Sequence, residues 1–420
     1  MPAFSGTVFF LMAEPDPFFG LPFICDIIER HQVFFIRCFN FIFHIRRKHM
    51  IYEREIYLTD PAEKAKVVEF LNGFGLTFTG NIEYTMGLFS DGELVGTGSL
   101  GGRVMRDIAI KESFQHKGLT HRIIRNLKSE SMRRGIVGNQ IFTKPQNVPV
   151  FEHMGFRCVA VAEPYAALLE SGQDTLEDYL TRIRSLLGSG EGKNRGAIVM
   201  NCNPFTLGHR SLVEYALNNC DEVIIFAVQE DRSVFPFADR FTLIKQGVKD
   251  MRGVQVVSGG DYIISNATFP TYFIKGTEEL SAQTTLDATI FATRIAPALN
   301  ISVRFVGEEP SDKTTLAYNE AMRRVFSNNG IDFKVVPRVQ KGDQVISASA
   351  VRKALADNDM ETIRRMVPKT TLTYFSSEEG KRVIERIKLE DKIKELQAKE
   401  KAEKESASKK VEAEAKKAKK

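Results

Sequence analysis

A threonine, a glycine and a histidine stand together where a predicted strand is followed by a predicted helix. Residues 196–200 are apolar and β-branched, residues 210–217 have the spacing of an amphipathic helix, and the loop between them ends in Thr206-x-Gly208-His209. Helix N-terminal amides attract phosphate, and a glycine allows close backbone approach. A hydroxyl can donate a hydrogen bond to a phosphate oxygen, and an imidazole can donate a charge-assisted one. We therefore predict a loop that stabilises charge during nucleotidyl transfer from ATP.

A second set of phosphate-binding side chains lies about 140 residues downstream. Ser347, Ser349 and Arg352 open another predicted helix. Hydroxyls, free amides and a forked guanidinium suit a triphosphate tail. Taken singly, either motif could be structural, as a serine cap with a surface arginine or a histidine without a ligand. Their occurrence together, in this order, predicts one nucleotide-binding site.

The two motifs resemble the HxGH and ISxSxxR signatures of a nucleotidyltransferase superfamily, with Thr206 where many members have the first histidine. Residues 203–214, 264–273 and 305–310 are similar to the citrate (pro-3S)-lyase ligase family. The resemblance covers roughly residues 50–375 and includes the order of the domains. It leaves the role of the histidine intact and argues against a mechanism that needs two imidazoles.

The resemblance implies an ATP-dependent ligase. ATP and acetate would form acetyl-AMP and pyrophosphate, and the acetyl group would pass to the prosthetic thiol of the citrate lyase acyl carrier subunit, releasing AMP. Mg²⁺ would arrive with ATP, and no metal site is predicted because no carboxylate cage is visible. The catalytic residues would be His209, Thr206 and Arg352. The ATP-binding residues would be Asn203, Pro204, Phe205, Gly208, Gly307, Glu308, Ser347 and Ser349.

Another phosphate motif lies nearer the N-terminus. After three β-rich runs at 83–89, 93–99 and 104–110, residues 115–120 open a predicted helix. This loop resembles the coenzyme A motif of GNAT acetyltransferases, where backbone amides cradle a pyrophosphate. Thr120 stands where that family has a small residue, so acetyl transfer by this domain is in doubt. The resemblance implies that the loop holds the arm of the carrier's prosthetic group, through Gln115, Lys117, Gly118 and Thr120.

Composition shifts predict an α/β protein with two folded domains. Strands and helices alternate through residues 194–375, which predicts a doubly wound parallel sheet, Rossmann-like, with its ligand at the carboxyl ends of the strands. The predicted parts are a Phe-rich extension at 1–49, a GNAT-like α+β domain at 50–187, a Gly-rich linker at 188–193, a nucleotidyltransferase domain at 194–375 and a charged helical or disordered tail at 376–420.

Charge and composition exclude several partners. The net charge of +5 comes largely from residues 391–420, where eleven lysines face seven acids, so no basic face for nucleic acid is expected. The apolar run at 33–45 is too short to span a membrane. Residues 1–49 would be an interfacial anchor or, as we favour, the product of an upstream start site. Five cysteines without metal or disulfide spacing suit a reducing cytoplasm, with Cys202 a buried apolar residue.

Two alternatives remain open at this stage. An adenylyltransferase that joins AMP to a nucleotide or pantetheine phosphate would use the same motifs and release pyrophosphate, but no free AMP. A non-catalytic protein that binds an acyl carrier would need none of the phosphate-binding side chains. The choice of carboxylic acid and the oligomeric state do not follow from the sequence.

Overall fold

The structure is a computed structural model that describes residues 50–188, 192–229, 233–264, 269–270, 272–274, 278–308, 313–338, 340–341 and 344–417. The predicted extension at 1–49 and linker residues 189–191 lie outside these ranges. Residues 50–53 and 89–93 belong to one compact unit, in which Tyr52 stacks on Phe89 with 5.6 Å between ring centroids. The remaining described residues, which carry both phosphate motifs and the 115–120 loop, belong to a second unit.

The first half of the chain folds around a mixed seven-stranded sheet in the order β1-β2-β3-β4-β5-β7-β6. Its strands are β1 (Ile51–Glu55), β2 (Tyr84–Ser90), β3 (Glu93–Gly101), β4 (Val104–Ile110), β5 (Gly138–Thr143), β6 (Arg157–Ala162) and β7 (Ala166–Gly172). Its helices are α1 (Pro61–Asn72), α2 (Leu119–Arg133), α3 (Val148–Glu152) and α4 (Leu176–Leu187), with 3₁₀ turns at Glu112–Phe114 and Pro145–Asn147. β4 and β5 are parallel, whereas β3 with β4, β5 with β7 and β6 with β7 are antiparallel. This is the GNAT-like α+β fold predicted from the sequence.

The second half is built on a five-stranded sheet in the order β10-β9-β8-β11-β12. Its strands are β8 (Arg195–Met200), β9 (Glu222–Ala227), β10 (Val254–Ser258), β11 (Ile301–Gly307) and β12 (Asp332–Val336). All neighbouring pairs are parallel. The chain moves outward from β8 to β10 and then crosses to β11 on the other side of β8. The sheet is therefore doubly wound, as predicted, with its switch point between β8 and β11.

Helices cover both faces of this sheet. They are α5 (Leu207–Leu217), α6 (Phe237–Gly247), α7 (Glu278–Ile290), α8 (Lys313–Asn328), α9 (Ala348–Ala356), α10 (Met360–Met366), α11 (Lys369–Phe375) and α12 (Glu378–Lys417). α7 continues through a π-helical stretch, Phe291–Ile295, into a last turn at Ala296–Ala298. A 3₁₀ turn, Gly260–Tyr262, follows β10, and β13 (Gln340–Lys341) pairs antiparallel with β14 (Gln344–Val345).

The two halves share a hydrophobic core. One cluster of buried side chains contains Phe142 and Leu168 from the first sheet together with Phe226 and Phe291 from the second half. Polar contacts cross the same boundary: the Tyr262 hydroxyl donates to the Glu170 carboxylate at 2.6 Å. Because apolar burial provides most of the stability of a domain, each half is stabilised by its contacts with the other.

The predicted charged tail is helical. α12 begins at Glu378 and runs to Lys417, and its first turns bury Val383 and Ile387 in a second core cluster. Leu389 and Leu396 further along are 59% and 65% exposed, so the apolar stripe leaves the core there. Within the ranges that the structure describes, no helix is long and apolar enough to cross a membrane.

Candidate active site

A reciprocal cap holds the loop between β8 and α5. Thr206 is extended, and its hydroxyl oxygen accepts a hydrogen bond from the His209 backbone N–H at 3.3 Å. In return, the Thr206 backbone N–H donates to Nδ1 of the His209 ring at 3.0 Å. Because Nδ1 accepts this bond it carries a lone pair, and the proton of the neutral ring is on Nε2. The cap thus leaves Nε2–H as the donor that can reach a ligand.

The environment of His209 favours the neutral ring. Burial lowers its pKa to about 4, and the positive charge of Arg338 acts in the same direction. The ring also stacks on Phe205, with 5.8 Å between ring centroids. A charge-assisted hydrogen bond from a protonated imidazole to phosphate stays a prediction.

α9 brings the second motif against the first. Ser347 caps the helix by accepting a hydrogen bond from the Ala350 N–H at 3.1 Å, and its hydroxyl lies 3.1 Å from that of Ser349. Nη1 of Arg352 donates to the Asn203 carbonyl at 2.6 Å. This arginine therefore ties the start of α9 directly to the loop that precedes α5.

At Gly208 the backbone of the first motif lies close to the second motif. A Cβ atom at this position would lie 3.1 Å from the Ile346 carbonyl oxygen and 3.6 Å from the Ile346 side chain. A distance of 3.1 Å is tighter than ordinary carbon–oxygen contact, so a side chain here would push the segments apart. The glycine thus allows the two helix starts to share one site.

The two motifs line one cavity of about 460 Å³ at the carboxyl ends of β8, β11 and β12. Its lining includes the predicted residues Asn203, Thr206, Gly208, His209, Gly307, Ser347, Ser349 and Arg352. Donors from two helix starts therefore converge on a space of the size that binds nucleotides and other small ligands. Such a set of donors can stabilise negative charge on a polyphosphate as one of its bonds breaks.

Three residues predicted to bind ATP do not line this cavity. Pro204 and Phe205 are buried. The Phe205 ring packs against Gly247, where an added Cβ atom would lie only 2.3 Å from the ring. The Phe205 carbonyl accepts a hydrogen bond from the Thr371 hydroxyl at 3.1 Å. The side chain of Glu308 is exposed. The buried Phe205 thus anchors the loop in the core.

Two arginines at the site were missed by the sequence analysis. Arg338 lines the cavity, and its Nε donates to the Glu308 carbonyl at 2.6 Å. It lies two residues beyond the end of β12, so the rule that ligands bind at the carboxyl ends of strands could have found it. Arg240 is fully buried, and its Nη1 donates at 2.8 Å to both the Asn201 and Val228 carbonyls. This second arginine has no signal in the sequence, because its partners come from two loops that are apart in the chain, after β8 and after β9.

The remaining candidate groups in the cavity are not suited to covalent or metal chemistry. Cys202 is buried, and burial raises the pKa of its thiol, which matches the expectation of a small apolar residue. Among the described residues, no group of three or more His, Cys, Asp or Glu side chains is placed to hold a metal ion.

The 115–120 loop forms an open helix start at the end of β4. Gln115 Nε2 donates to the Ile110 carbonyl at 3.1 Å, and Lys117 Nζ donates to the Ser113 carbonyl at 2.8 Å. Gly118 has φ of 71°, in the left-handed region, and precedes α2 without a side-chain cap. Thr120 is partly exposed in the first turn. The amides of this turn have no capping side chain, and the cradle for a pyrophosphate stays a prediction.

Known proteins are similar to both halves. The family model described as citrate lyase ligase C-terminal domain matches residues 195–375. The citrate (pro-3S)-lyase ligase of Klebsiella pneumoniae is 35% identical over 331 residues, 78% of this chain and 96% of that protein. Its Haemophilus influenzae counterpart is 36% identical over 326 residues, 76% of this chain and 96% of that protein.

Solved structures resemble a part of the chain more distantly. An acyl-CoA N-acyltransferase structure from Klebsiella pneumoniae covers 30% of this chain and 99% of its own, with a TM-score of 0.25 and 16% identity. N-acetylglutamate synthase from Neisseria gonorrhoeae, complexed with coenzyme A and N-acetyl-glutamate, covers 31% of this chain and 36% of its own, with a TM-score of 0.25 and 15% identity.

Proposed function

This chain belongs to the citrate (pro-3S)-lyase ligase family and is an enzyme, and we propose that it activates acetate with ATP and acetylates a thiol of the citrate lyase acyl carrier subunit. The observation that carries the proposal is the convergence of His209, Ser347, Ser349 and Arg352 on one cavity. Such donors suit the departure of pyrophosphate. From the need for ATP we place the reaction in the cytoplasm.

In the first step, a carboxylate oxygen of acetate attacks the α-phosphorus of ATP. A C–O–P linkage forms, the bond from the α-phosphorus to the bridging oxygen breaks, and pyrophosphate leaves with the electron pair. Nε2–H of His209 and the first amides of α5 are assigned to the α-phosphate, where charge builds. Ser347, Ser349 and Arg352 are assigned to the β- and γ-phosphates, which take up the leaving-group charge. Mg²⁺ bound to ATP supplies further charge neutralisation.

Arg352 has enough donors for both the loop and ATP. Its Nη1 donates to the Asn203 carbonyl at 2.6 Å, and burial lowers the pKa of the guanidinium. A cation that burial has stripped of water gains more from a phosphate than an exposed one does. We therefore assign to this arginine both the bridge between the motifs and a grip on the polyphosphate.

In the second step, the carrier thiol attacks the carbonyl carbon of acetyl-AMP. The C–S bond forms, the C–O bond to the phosphate breaks, AMP leaves with the electron pair, and the thiol proton is released. No covalent intermediate on the protein is needed, because a thiol held beside the acetyl-AMP reacts much faster than one free in solution. The open helix start at Gln115–Thr120 is assigned to the pyrophosphate of the carrier's prosthetic group.

ATP–pyrophosphate exchange on the full chain tests the first step. The exchange is measured with formate, acetate, propionate and butyrate, and we expect it to require a carboxylate and to be fastest with acetate. Exchange that instead requires a nucleotide or pantetheine phosphate would identify an adenylyltransferase. Binding of the acyl carrier without any exchange would identify a non-catalytic binding protein. Either result would overturn the proposal.

A further inference from the structure

The two central strands of the first sheet separate and leave a gap between them. β4 and β5 pair only at Val104 with Gln140 and at Met105 with Ile141, although β4 continues to Ile110 and β5 to Thr143. A bulge in β4 accompanies the separation: its register against β3 slips between Ala109 and Arg106. The intervening Asp107 has φ of 54°. The gap therefore opens toward the carboxyl ends of both strands, where the 115–120 loop follows β4.

Such a gap suits an extended chain that carries amides. Beyond the last pair, the described residues of β4 and β5 form no ladder with each other, and an extended chain can add to a strand that lacks a partner on one side. A pantetheine arm is an extended chain with two amide groups. If its pyrophosphate rests on the amides at the start of α2, the arm would point along this gap.

The inner end of the gap is already occupied by a side chain from the other half of the chain, that of Tyr272. The Tyr272 hydroxyl donates to the Phe142 carbonyl on β5 at 2.7 Å. The Tyr272 ring lies under the guanidinium of Arg106 on β4, with 4.6 Å from Cζ to the ring centroid. The Tyr272 carbonyl accepts a hydrogen bond from the Thr77 N–H at 2.8 Å. One side chain thus contacts both strands where they begin to part.

Tyr272 is held firmly in this position. It is 6% exposed, and Phe269 from the same segment packs edge-on against Phe142 with 6.0 Å between ring centroids. Removing the tyrosine from the gap would leave a buried carbonyl without its donor and an aromatic contact unmade, both of which are costly. Arg106, which covers the ring, is itself paired with the buried Asp107 at 3.1 Å.

We propose that Tyr272 is a built-in stopper, which keeps the end of a pantetheine arm out of the gap between β4 and β5. The first domain then binds the arm by its pyrophosphate alone and leaves the thiol outside the sheet. On this view the domain presents a thiol to the adenylate formed at the other sheet and catalyses no acetyl transfer of its own. The inference rests on the proposed docking role of the first domain.

The test compares two ligands that differ only by the arm. Binding of coenzyme A and of adenosine 3′-phosphate 5′-diphosphate is measured by calorimetry on the full chain, with the nucleotide cavity saturated by α,β-methylene-ATP. For the wild type we expect dissociation constants within about threefold of each other, because the arm gains no buried surface. In Tyr272→Ala the arm enters the gap, and coenzyme A is expected to bind about tenfold more tightly than the arm-less nucleotide.

Tyr272→Phe is the matched control, because it keeps the ring in the gap and removes only the hydroxyl. It is expected to keep the wild-type ratio. A wild type that already binds coenzyme A tenfold more tightly than the arm-less nucleotide would overturn the stopper, whether or not the alanine variant folds. A folded Tyr272→Ala protein with an unchanged ratio would overturn it as well. If neither ligand binds the wild type but coenzyme A binds Tyr272→Ala, the docking role fails while the stopper stands.

Discussion

Two substitutions of His209 distinguish the roles of its two ring nitrogens. In His209→Asn, the side-chain oxygen can take the place of Nδ1 and accept the Thr206 N–H that now donates at 3.0 Å, so the cap is kept and the donor at Nε2 is lost. In His209→Gln, the amide nitrogen can reach the place of Nε2, while the cap loses its acceptor. If the imidazole acts as a donor to the α-phosphate, the asparagine variant must lose more activity than the glutamine variant.

The expected loss for His209→Asn is about 10²–10³ in exchange rate, the usual cost of one donor to a developing oxyanion. The assay is acetate-dependent ATP–pyrophosphate exchange at pH 7.5, with thermal unfolding to verify the fold. His153→Asn is the matched control, since His153 is an exposed histidine far along the chain from either motif. Exchange within a fewfold of wild type in a folded His209→Asn protein would refute the donor role.

The same histidine predicts how stability depends on pH. Its pKa is about 4 in the folded protein, well below the ordinary histidine value of 6.5. Between these values the unfolded chain binds a proton that the folded protein does not, so the free energy of unfolding falls as the pH drops from 6.5 to 4. The shift corresponds to at most about 3 kcal/mol for this partly exposed ring. Denaturant titrations at pH 6.5 and 4.5 should show a smaller drop for His209→Asn, and an equal drop would contradict the buried neutral ring.

Three further predictions concern the rest of the site. Arg352→Lys should raise the KM for ATP about tenfold, because an ammonium cannot bridge a phosphate as a planar fork does; Arg365→Lys on an exposed helix face is the control, and an unchanged KM for ATP would contradict the assignment. Gly208→Ala should lower exchange at least about tenfold, because the new Cβ would lie 3.1 Å from the Ile346 carbonyl; wild-type exchange would show that the segments can part without loss. Removal of residues 392–420 should leave exchange and melting temperature unchanged, since Ile387 is the last buried side chain in residues 378–401, the part of α12 whose burial is described; a large loss would show that the tail packs on the core.

Much of the fold could be predicted because its patterns are local. Alternating apolar runs and amphipathic segments in residues 194–375 follow from the periods of strand and helix, and they predict a parallel sheet without further information. The β-rich runs at 83–89 and 93–99 likewise predict β2 and β3. These patterns do not indicate which surfaces of the helices and sheets pack against one another. The shared core, in which Phe142 and Phe291 belong to one cluster, depends on how two sheets meet.

The sequence by itself determined which chemical groups stand at the candidate site. The residue types at Thr206–His209 and Ser347–Arg352, with their spacing, specify helix starts that carry hydroxyl, imidazole and guanidinium donors. These features follow from short-range propensity and capping, which a short window of sequence contains.

Only the tertiary structure decided how those groups act. The direction of the Nδ1 cap, the low pKa of His209 beside Arg338, and the contact of Gly208 with Ile346 depend on atoms far apart in the chain. So does the placement of Tyr272 between two strands of the other domain. Burial and charge act through space and not along the chain, and for that physical reason no spacing of residues could have revealed them.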